Sequence, residues 1–203
     1  MTVSELERKF EVHLTEMKKC ERAECYWALL HLAVVVPDIC GSLETPDAKV
    51  GARYVRWCKE NLPKGDKVRP GDRYQLRNSL LHEGSSRSAP NKVTGSADPP
   101  EEQKTQYATF SFVDPGAAPI EVHHLDRLEK DGTKNLAVDI KKLADDTVKA
   151  MRAWFGRVAT GAKGTDQVAA NVEKIIQVKP KESMITVGSV TMTVLYPNRS
   201  STG

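Results

Sequence analysis

The chain has 203 residues, of which 39% are hydrophobic, and a formal net charge of +3. This length and apolar content fit one domain with a buried core, and the small charge argues against a long basic groove for duplex nucleic acid. The four cysteines form no Cys-x-x-Cys pair and no zinc-finger spacing with histidine, which favours reduced thiols, a cytoplasmic location and no metal or other cofactor. The charged opening residues predict no signal peptide.

Two helices are predicted in the first 40 residues. The first follows from an apolar stripe at helical spacing: Val3, Leu6, Phe10, Leu14 and Met17. The second, about 21–40, is apolar nearly all round, as a central helix is, and Pro37 should bend or end it. Its most apolar part, 26–39, is too short to span a membrane, so we expect no membrane association.

A third helix is predicted to start at Thr45 and Pro46, which suit a helix cap and a first turn. Arg53 and Arg56 lie partly off its apolar face. Two interpretations of these arginines remain, phosphate binding and ordinary solvation, and we favour solvation.

A fourth helix is predicted from Gly71 to Glu83, because Gly84 is suited to the position just past a helix end. At ~100° per residue, Asn78 and His82 share one face of this helix. Arg77 lies roughly 140° round the helix from His82, but its long side chain can reach toward that face.

The segment 76–84, Leu-Arg-Asn-Ser-Leu-Leu-His-Glu-Gly, resembles the signature of the HEPN family, the higher-eukaryote and prokaryote nucleotide-binding domains. That signature is an arginine, often followed by asparagine, then a short spacer and a histidine on a late helix. The resemblance implies a helical, usually dimeric domain, and many members are metal-independent ribonucleases.

The resemblance also implies site residues. His82 would be the general acid or base, and Arg77 would bind the scissile phosphate. Asn78 would orient His82 or donate a hydrogen bond to phosphate. We further expect Arg73 and Arg87, which flank this motif, to bind substrate.

The same spacing occurs a second time, at Arg8 and His13. This copy lies in the middle of the first predicted helix, and neither an asparagine after the arginine nor a glycine after the histidine accompanies it. We therefore interpret His13 as the polar edge of the first helix and not as a second active-site imidazole.

The remainder of the chain combines strands and helices. A loop is predicted at 85–104, where proline, serine and acidic residues replace large apolar groups. Alternating residues predict a strand at 107–113 and a return strand at 120–125, then a helix at about 139–158 after a short strand. A further helix and a hairpin from 183 to 196 follow.

The expected fold is therefore α+β and mainly helical. A HEPN-like bundle of four or five helices occupies residues 1–160, with a small antiparallel β element inserted around 105–125. Residues 161–203 form a C-terminal helix and hairpin, an appendage that we expect to pack on the same domain.

Three functions remain open. The leading one is a metal-independent endoribonuclease in which two copies of the motif meet in a homodimer. Such an enzyme could belong to a toxin–antitoxin or phage-defence system, with an antitoxin as its partner. The second is a non-catalytic HEPN-like module that binds a nucleotide, RNA or a protein. The third is a helical scaffold with no active site.

Overall fold

A computed structural model describes residues 1–63, 68–86, 106–113, 125–130, 132–161, 164–175, 184–187 and 190–193. The helices of these residues are α1 (Val3–Lys9), α2 (Glu11–Arg22), α3 (Tyr26–Glu44), α4 (Val50–Asn61), α5 (Pro70–Asn78), α6 (Ile140–Ala159) and α7 (Thr165–Asn171). The strands are β1 (Thr109–Val113), β2 (Leu125–Leu128), β3 (Lys134–Asp139), β4 (Met184–Val187) and β5 (Val190–Thr193). A π-helical turn (Ser79–Glu83) follows α5, and a 3₁₀ turn (Val172–Lys174) follows α7. The expectation of a mainly helical chain with a small β component is confirmed.

The centre of the fold is α3, which packs against α2, α4, α5, α6 and α7. Its buried side chains meet large aromatic residues of other helices, including Trp57 and Trp154, which are 0% exposed. Burying one such side chain contributes about 1.5–3 kcal/mol or more. The hydroxyl of buried Tyr54 donates to the Val34 carbonyl at 3.0 Å, which ties α4 to α3. The apolar character of the second predicted helix therefore reflects a core position.

The helix boundaries differ from the predicted ones in informative ways. Phe10 is a break between α1 and α2, where one continuous helix was expected. Glu24 adopts a φ of 55° and separates α2 from α3. Pro37 lies inside α3, which continues to Glu44. Because α3 extends so far, α4 begins only at Val50, and the predicted helix start at Thr45 was wrong.

Within the described part of the chain, one helix, α3, is long and apolar enough to cross a membrane, although half of its most apolar window is buried by other parts of the protein. It is longer than the stretch 26–39 on which the length argument was based. Core helices of soluble proteins also meet this criterion. The expectation of no membrane association therefore stays a prediction.

The inserted β element is a mixed sheet, which corrects the expected antiparallel arrangement. β3 lies in the middle and pairs in parallel with β1, with Phe110 opposite Leu136, while β2 runs antiparallel to β3. Leu136 and Val138 on β3 are both 0% exposed, as is expected of a strand with a neighbour on either side. The return strand expected at 120–125 is instead found at Leu125–Leu128, and residues 120–124 lie outside the described part of the chain.

The predicted passage from a short strand into a long helix is confirmed. β3 ends at Asp139, whose carboxylate accepts a hydrogen bond from the Lys142 backbone N–H at 3.0 Å and so caps α6. This helix contacts α3 more extensively than it does the other elements, which completes the helical core.

The C-terminal elements follow the prediction in part. Val168 and Val172, from α7 and the 3₁₀ turn, belong to the same hydrophobic core as the preceding helices. β4 and β5 pair in the antiparallel sense expected of a hairpin, with Ile185 opposite Met192, and the turn at 188–189 lies outside the described residues. The loop predicted at 85–104 falls outside them from 87 onward.

Candidate active site

The motif helix α5 is fixed in the core at its beginning and along one face. Pro70 occupies its first turn, and the nearby Asp72 carboxylate accepts hydrogen bonds from the backbone N–H groups of Gln106 and Tyr107 at 2.7 and 3.1 Å. Leu76 is fully buried, and Leu80 is nearly so. These contacts set the rotation of α5 about its axis and hence the direction of the motif side chains.

A π-helical turn brings Arg77 and His82 together. The Gly84 N–H bonds the Ser79 carbonyl five residues earlier, and the Ser85 N–H reaches the same carbonyl at 3.0 Å. A turn closed by such bonds has more residues than an α-helical turn, and π-helical turns are frequent at functional sites. Arg77 Nη1 lies 3.4 Å from His82 Nε2, so the long arginine side chain reaches the histidine as expected.

Asp38 on α3 holds the motif arginine in place. Its Oδ2 accepts a hydrogen bond from Arg77 Nη2 at 2.6 Å, while Arg77 Nη1 donates to Asn78 Oδ1 at 2.9 Å. One guanidinium group therefore contacts a carboxylate, an amide oxygen and an imidazole at once. Both members of the ion pair are largely buried, with side chains 15% and 16% exposed, so solvent screens the pair only in part.

A second arginine shares this carboxylate. Arg53 Nη2 on α4 lies 3.4 Å from Asp38 Oδ1, and its Nη1 donates to the Pro46 carbonyl at 3.4 Å. α4 comes close to α3 here, since a Cβ on Gly41 would lie 2.9 Å from the Arg53 carbonyl oxygen. The solvation interpretation that we favoured for Arg53 was wrong, because its side chain is only 18% exposed and belongs to the cluster.

We name Asp38, Arg53, Arg77, Asn78 and His82 the motif cluster. Its two guanidinium groups face one carboxylate, which leaves one uncompensated positive charge before His82 is considered. The Nε atoms of Arg53 and Arg77 are buried and have no hydrogen-bond partner among the described residues. Guanidinium groups in this condition favour an anion, and phosphate matches their planar donor geometry.

His82 is the exposed member of the cluster. An arginine only donates hydrogen bonds, so the contact with Arg77 Nη1 makes His82 Nε2 the acceptor and places the proton of a neutral ring on Nδ1. An unprotonated imidazole nitrogen beside a guanidinium group can accept a proton from a nearby hydroxyl group. The arrangement is therefore capable of acid–base chemistry on a phosphodiester.

Only some of the predicted site residues lie together in the motif cluster. Arg77, Asn78 and His82 come together, as the motif implied. Arg73 is buried, with 4% of its surface exposed, and its carbonyl lies 3.4 Å from the Tyr54 hydroxyl. That burial leaves Arg73 little accessible surface, and its predicted substrate binding stays a prediction. Arg87 lies outside the described residues, and its predicted role is untested.

Sequence reasoning missed Asp38 as a site residue. A signal was present, because Asp38 is a carboxylate within a helix that is apolar nearly all round, and a carboxylate that is largely removed from water needs a cationic partner. The identity of that partner depends on how three helices pack, which no local pattern specifies.

No protein-family model, curated protein or solved structure matches this chain. The described residues contain no group of three or more His, Cys, Asp or Glu side chains placed to hold a metal ion. The assignment of a function therefore depends on the motif cluster and on the resemblance carried by residues 76–84.

Proposed function

We propose that the protein is a metal-independent endoribonuclease of HEPN type that acts in the cytoplasm. The observation that carries the proposal is the simultaneous contact of Arg77 with Asp38, Asn78 and His82. Asp38 fixes the guanidinium group of Arg77. The fixed group then stabilises the negative charge that develops on the scissile phosphate. Asn78 orients this group through its side-chain oxygen.

In the proposed reaction, His82 Nε2 removes the proton from the RNA 2′-hydroxyl group. The 2′-oxygen then forms a bond to phosphorus while the bond from phosphorus to the 5′-oxygen breaks. The departing oxygen takes a proton from an imidazolium, either the same His82 or its copy in a second subunit. The products are a 2′,3′-cyclic phosphate and a 5′-hydroxyl end. DNA has no 2′-hydroxyl and is not a substrate.

The decisive experiment is a cleavage assay on single-stranded and structured RNA with the wild type, Arg77→Ala and His82→Ala. General acid–base catalysis contributes ~10²–10⁴ in rate, so we expect His82→Ala to lose about that much activity. Loss of one charge-stabilising donor costs about 10²–10³, which we expect for Arg77→Ala. Exposed His82→Ala should change the free energy of unfolding by about 1 kcal/mol or less. Arg8→Ala, in the other copy of the spacing, is the matched control and should cleave like the wild type.

Activity should survive EDTA, and RNA with its 2′-hydroxyls replaced by hydrogen should not be cut. Equal cleavage by all variants would overturn the assignment and indicate a contaminating nuclease. No cleavage by any of them, with mass spectrometry showing no copurified antitoxin, would leave the non-catalytic nucleotide- or protein-binding module as the function.

The proposal includes a homodimer in which two motif clusters lie near the two-fold axis. Exposed His82 and the partly exposed Tyr74 and Leu81 offer a surface that is both polar and apolar, as a symmetric interface with a site requires. One chain has a mass of 22.5 kDa, and light scattering at micromolar concentration should give twice that mass. A monomer that nevertheless cleaves RNA would show that one motif cluster is sufficient.

A further inference from the structure

A cavity of about 340 Å³ lies beside the motif cluster. It is bounded by α2, the C-terminal half of α3, α4 and the 3₁₀ turn after α7. Ile39, Leu43 and Ile175 supply apolar walls. Small-molecule sites have volumes of about 300–1,000 Å³ and combine apolar walls with a few convergent polar groups, so this cavity has the size of one small ligand unit.

Among the described residues, the polar groups that line the cavity are cationic or neutral. They include His13, Arg53 and Lys174, and no described lining residue is a carboxylate. Lys174 Nζ is held by Asn171 Oδ1 at 2.6 Å, and the Asn171 amide donates to the Gln167 carbonyl at 2.8 Å. This fixes a positive charge at the cavity edge, which favours a ligand with a negative charge.

Two buried polar atoms of the lining residues have no hydrogen-bond partner among the described residues. They are His13 Nδ1 and Arg53 Nε. Burial lowers the pKa of His13, so its ring is neutral at pH 7 and can both donate and accept hydrogen bonds. Both atoms have almost no accessible surface, so a ligand in the cavity would reach these residues through other atoms: Nε2 of His13 and the terminal nitrogens of Arg53.

Arg53 connects the cavity to the motif cluster. Its guanidinium lies against Asp38, whose other oxygen binds Arg77, and the same side chain lines the cavity. Arg53 is therefore the residue that the cavity and the motif cluster have in common, and a polyanion bound at Arg77 could extend past Arg53 toward the cavity.

We propose that this cavity binds one nucleotide of the RNA strand, next to the phosphate that is cleaved. The base lies against Ile39, Leu43 and Ile175 and bonds His13, while the phosphate of this nucleotide lies between Arg53 and Lys174. The proposal rests on the proposed function, because it takes the ligand to be part of the RNA substrate. It also gives the C-terminal appendage a role, since Asn171, Lys174 and Ile175 form one side of the cavity.

The test measures binding apart from cleavage, with adenosine 5′-monophosphate as the probe in isothermal titration calorimetry. Adenosine and inorganic phosphate each carry half of the recognised groups and should bind at least about tenfold more weakly, because a hydrogen bond to a charged group is worth about 1.5–3 kcal/mol. Lys174→Ala should weaken binding of the monophosphate by about tenfold or more, for the same reason. Lys149→Ala removes the same charge from an exposed position of α6 and should have no effect.

A second variant, Ser42→Phe, fills the cavity from α3 and should abolish binding, with circular dichroism as the check on folding. The side-chain amide signals of Asn171 in a ¹⁵N-correlated NMR spectrum should shift when the monophosphate binds to the wild type. No binding at millimolar concentration, or equal binding by Lys174→Ala and the wild type, would overturn the proposal.

The failure of this proposal differs from the failure of the proposed function. If Ser42→Phe and Lys174→Ala cleave RNA with the wild-type KM, the proposal that the cavity binds a nucleotide is refuted, and the ribonuclease proposal still stands. Binding of the monophosphate that both variants reduce, in a protein that cuts no RNA, would confirm the cavity ligand and refute the ribonuclease.

Discussion

Arg8 and His13 have the same spacing as Arg77 and His82, but the two copies have different surroundings. Arg8 is exposed near the end of α1, and His13 lies on the next helix, past the break at Phe10, with its ring 6.0 Å from the Phe10 ring. Arg77 is largely buried and contacts His82 directly. Equal spacing therefore gives different arrangements.

The difference has two causes, and both lie outside the spacing itself. Around His82 the helix widens into a π-helical turn, whereas between Arg8 and His13 it breaks. In addition, Asp38 from another helix fixes Arg77. A motif of this kind becomes a site only where the backbone and a tertiary partner both position its members. Three predictions test this comparison, and they are ordered by the size of the expected effect.

The largest effect on stability is expected from Asp38→Ala. It leaves Arg53 and Arg77 with no shared carboxylate, and breaking a partly buried ion pair of this kind should cost about 3 kcal/mol of unfolding free energy. Glu11→Ala, at an exposed acid near His13, is the control and should stay within about 0.5 kcal/mol. Urea denaturation measures both values. A small loss for Asp38→Ala would mean that the pair does not position Arg77.

This dependence on tertiary contacts explains what the sequence could predict. The central helix, the motif helix and α6 have strong local signals: an apolar surface, a glycine stop and a regular apolar stripe. Those signals act within a few residues, so the structure confirms the elements while shifting some of their ends, as at Thr45 and Val50. Arg77, Asn78 and His82 were predictable together because they lie within six consecutive residues.

The remainder depends on residues far apart in the chain. Asp38 and Arg77 are 39 positions apart, and their contact follows from helix packing. The parallel pairing of β1 with β3 likewise skips β2, so the order of the strands along the chain predicts the wrong neighbour. The cavity is less predictable again, since its walls come from α2, α3, α4 and the 3₁₀ turn.

A second prediction concerns pH and the acid in the first turn of the motif helix, Asp72. Asp72 on α5 is fully buried, and burial raises its pKa from the ordinary value of 3.8 to about 6, although the N–H groups of Gln106 and Tyr107 oppose this shift. The folded state therefore binds more protons than the unfolded state between these values. Unfolding free energy accordingly falls as pH rises through this range.

Between pH 4 and 6 the Asp72 contribution to unfolding free energy should fall by about 2 kcal/mol, from the two pKa values and linkage. Asp72→Asn removes this change, so the difference between wild type and variant should decline by that amount over the range. Denaturation of the wild type and of Asp72→Asn at several pH values measures this difference, and a difference that stays constant with pH would contradict the burial argument.

The smallest effect concerns how the two regions end their helices. Gly84 after His82 has a φ of 58°, and Glu24 between α2 and α3 has a φ of 55°. This left-handed conformation costs a residue with a Cβ about 1 kcal/mol, whereas glycine adopts it freely. A Cβ on Gly84 would meet no atom within 4 Å, so Gly84→Ala should cost about 1 kcal/mol from backbone strain alone.

Glu24→Gly should stabilise the protein by about 0.5 kcal/mol, since relief of strain exceeds the added entropy of the unfolded chain. Thermal unfolding should show opposite shifts for the two variants, and shifts of the same sign would mean that strain does not distinguish these helix ends.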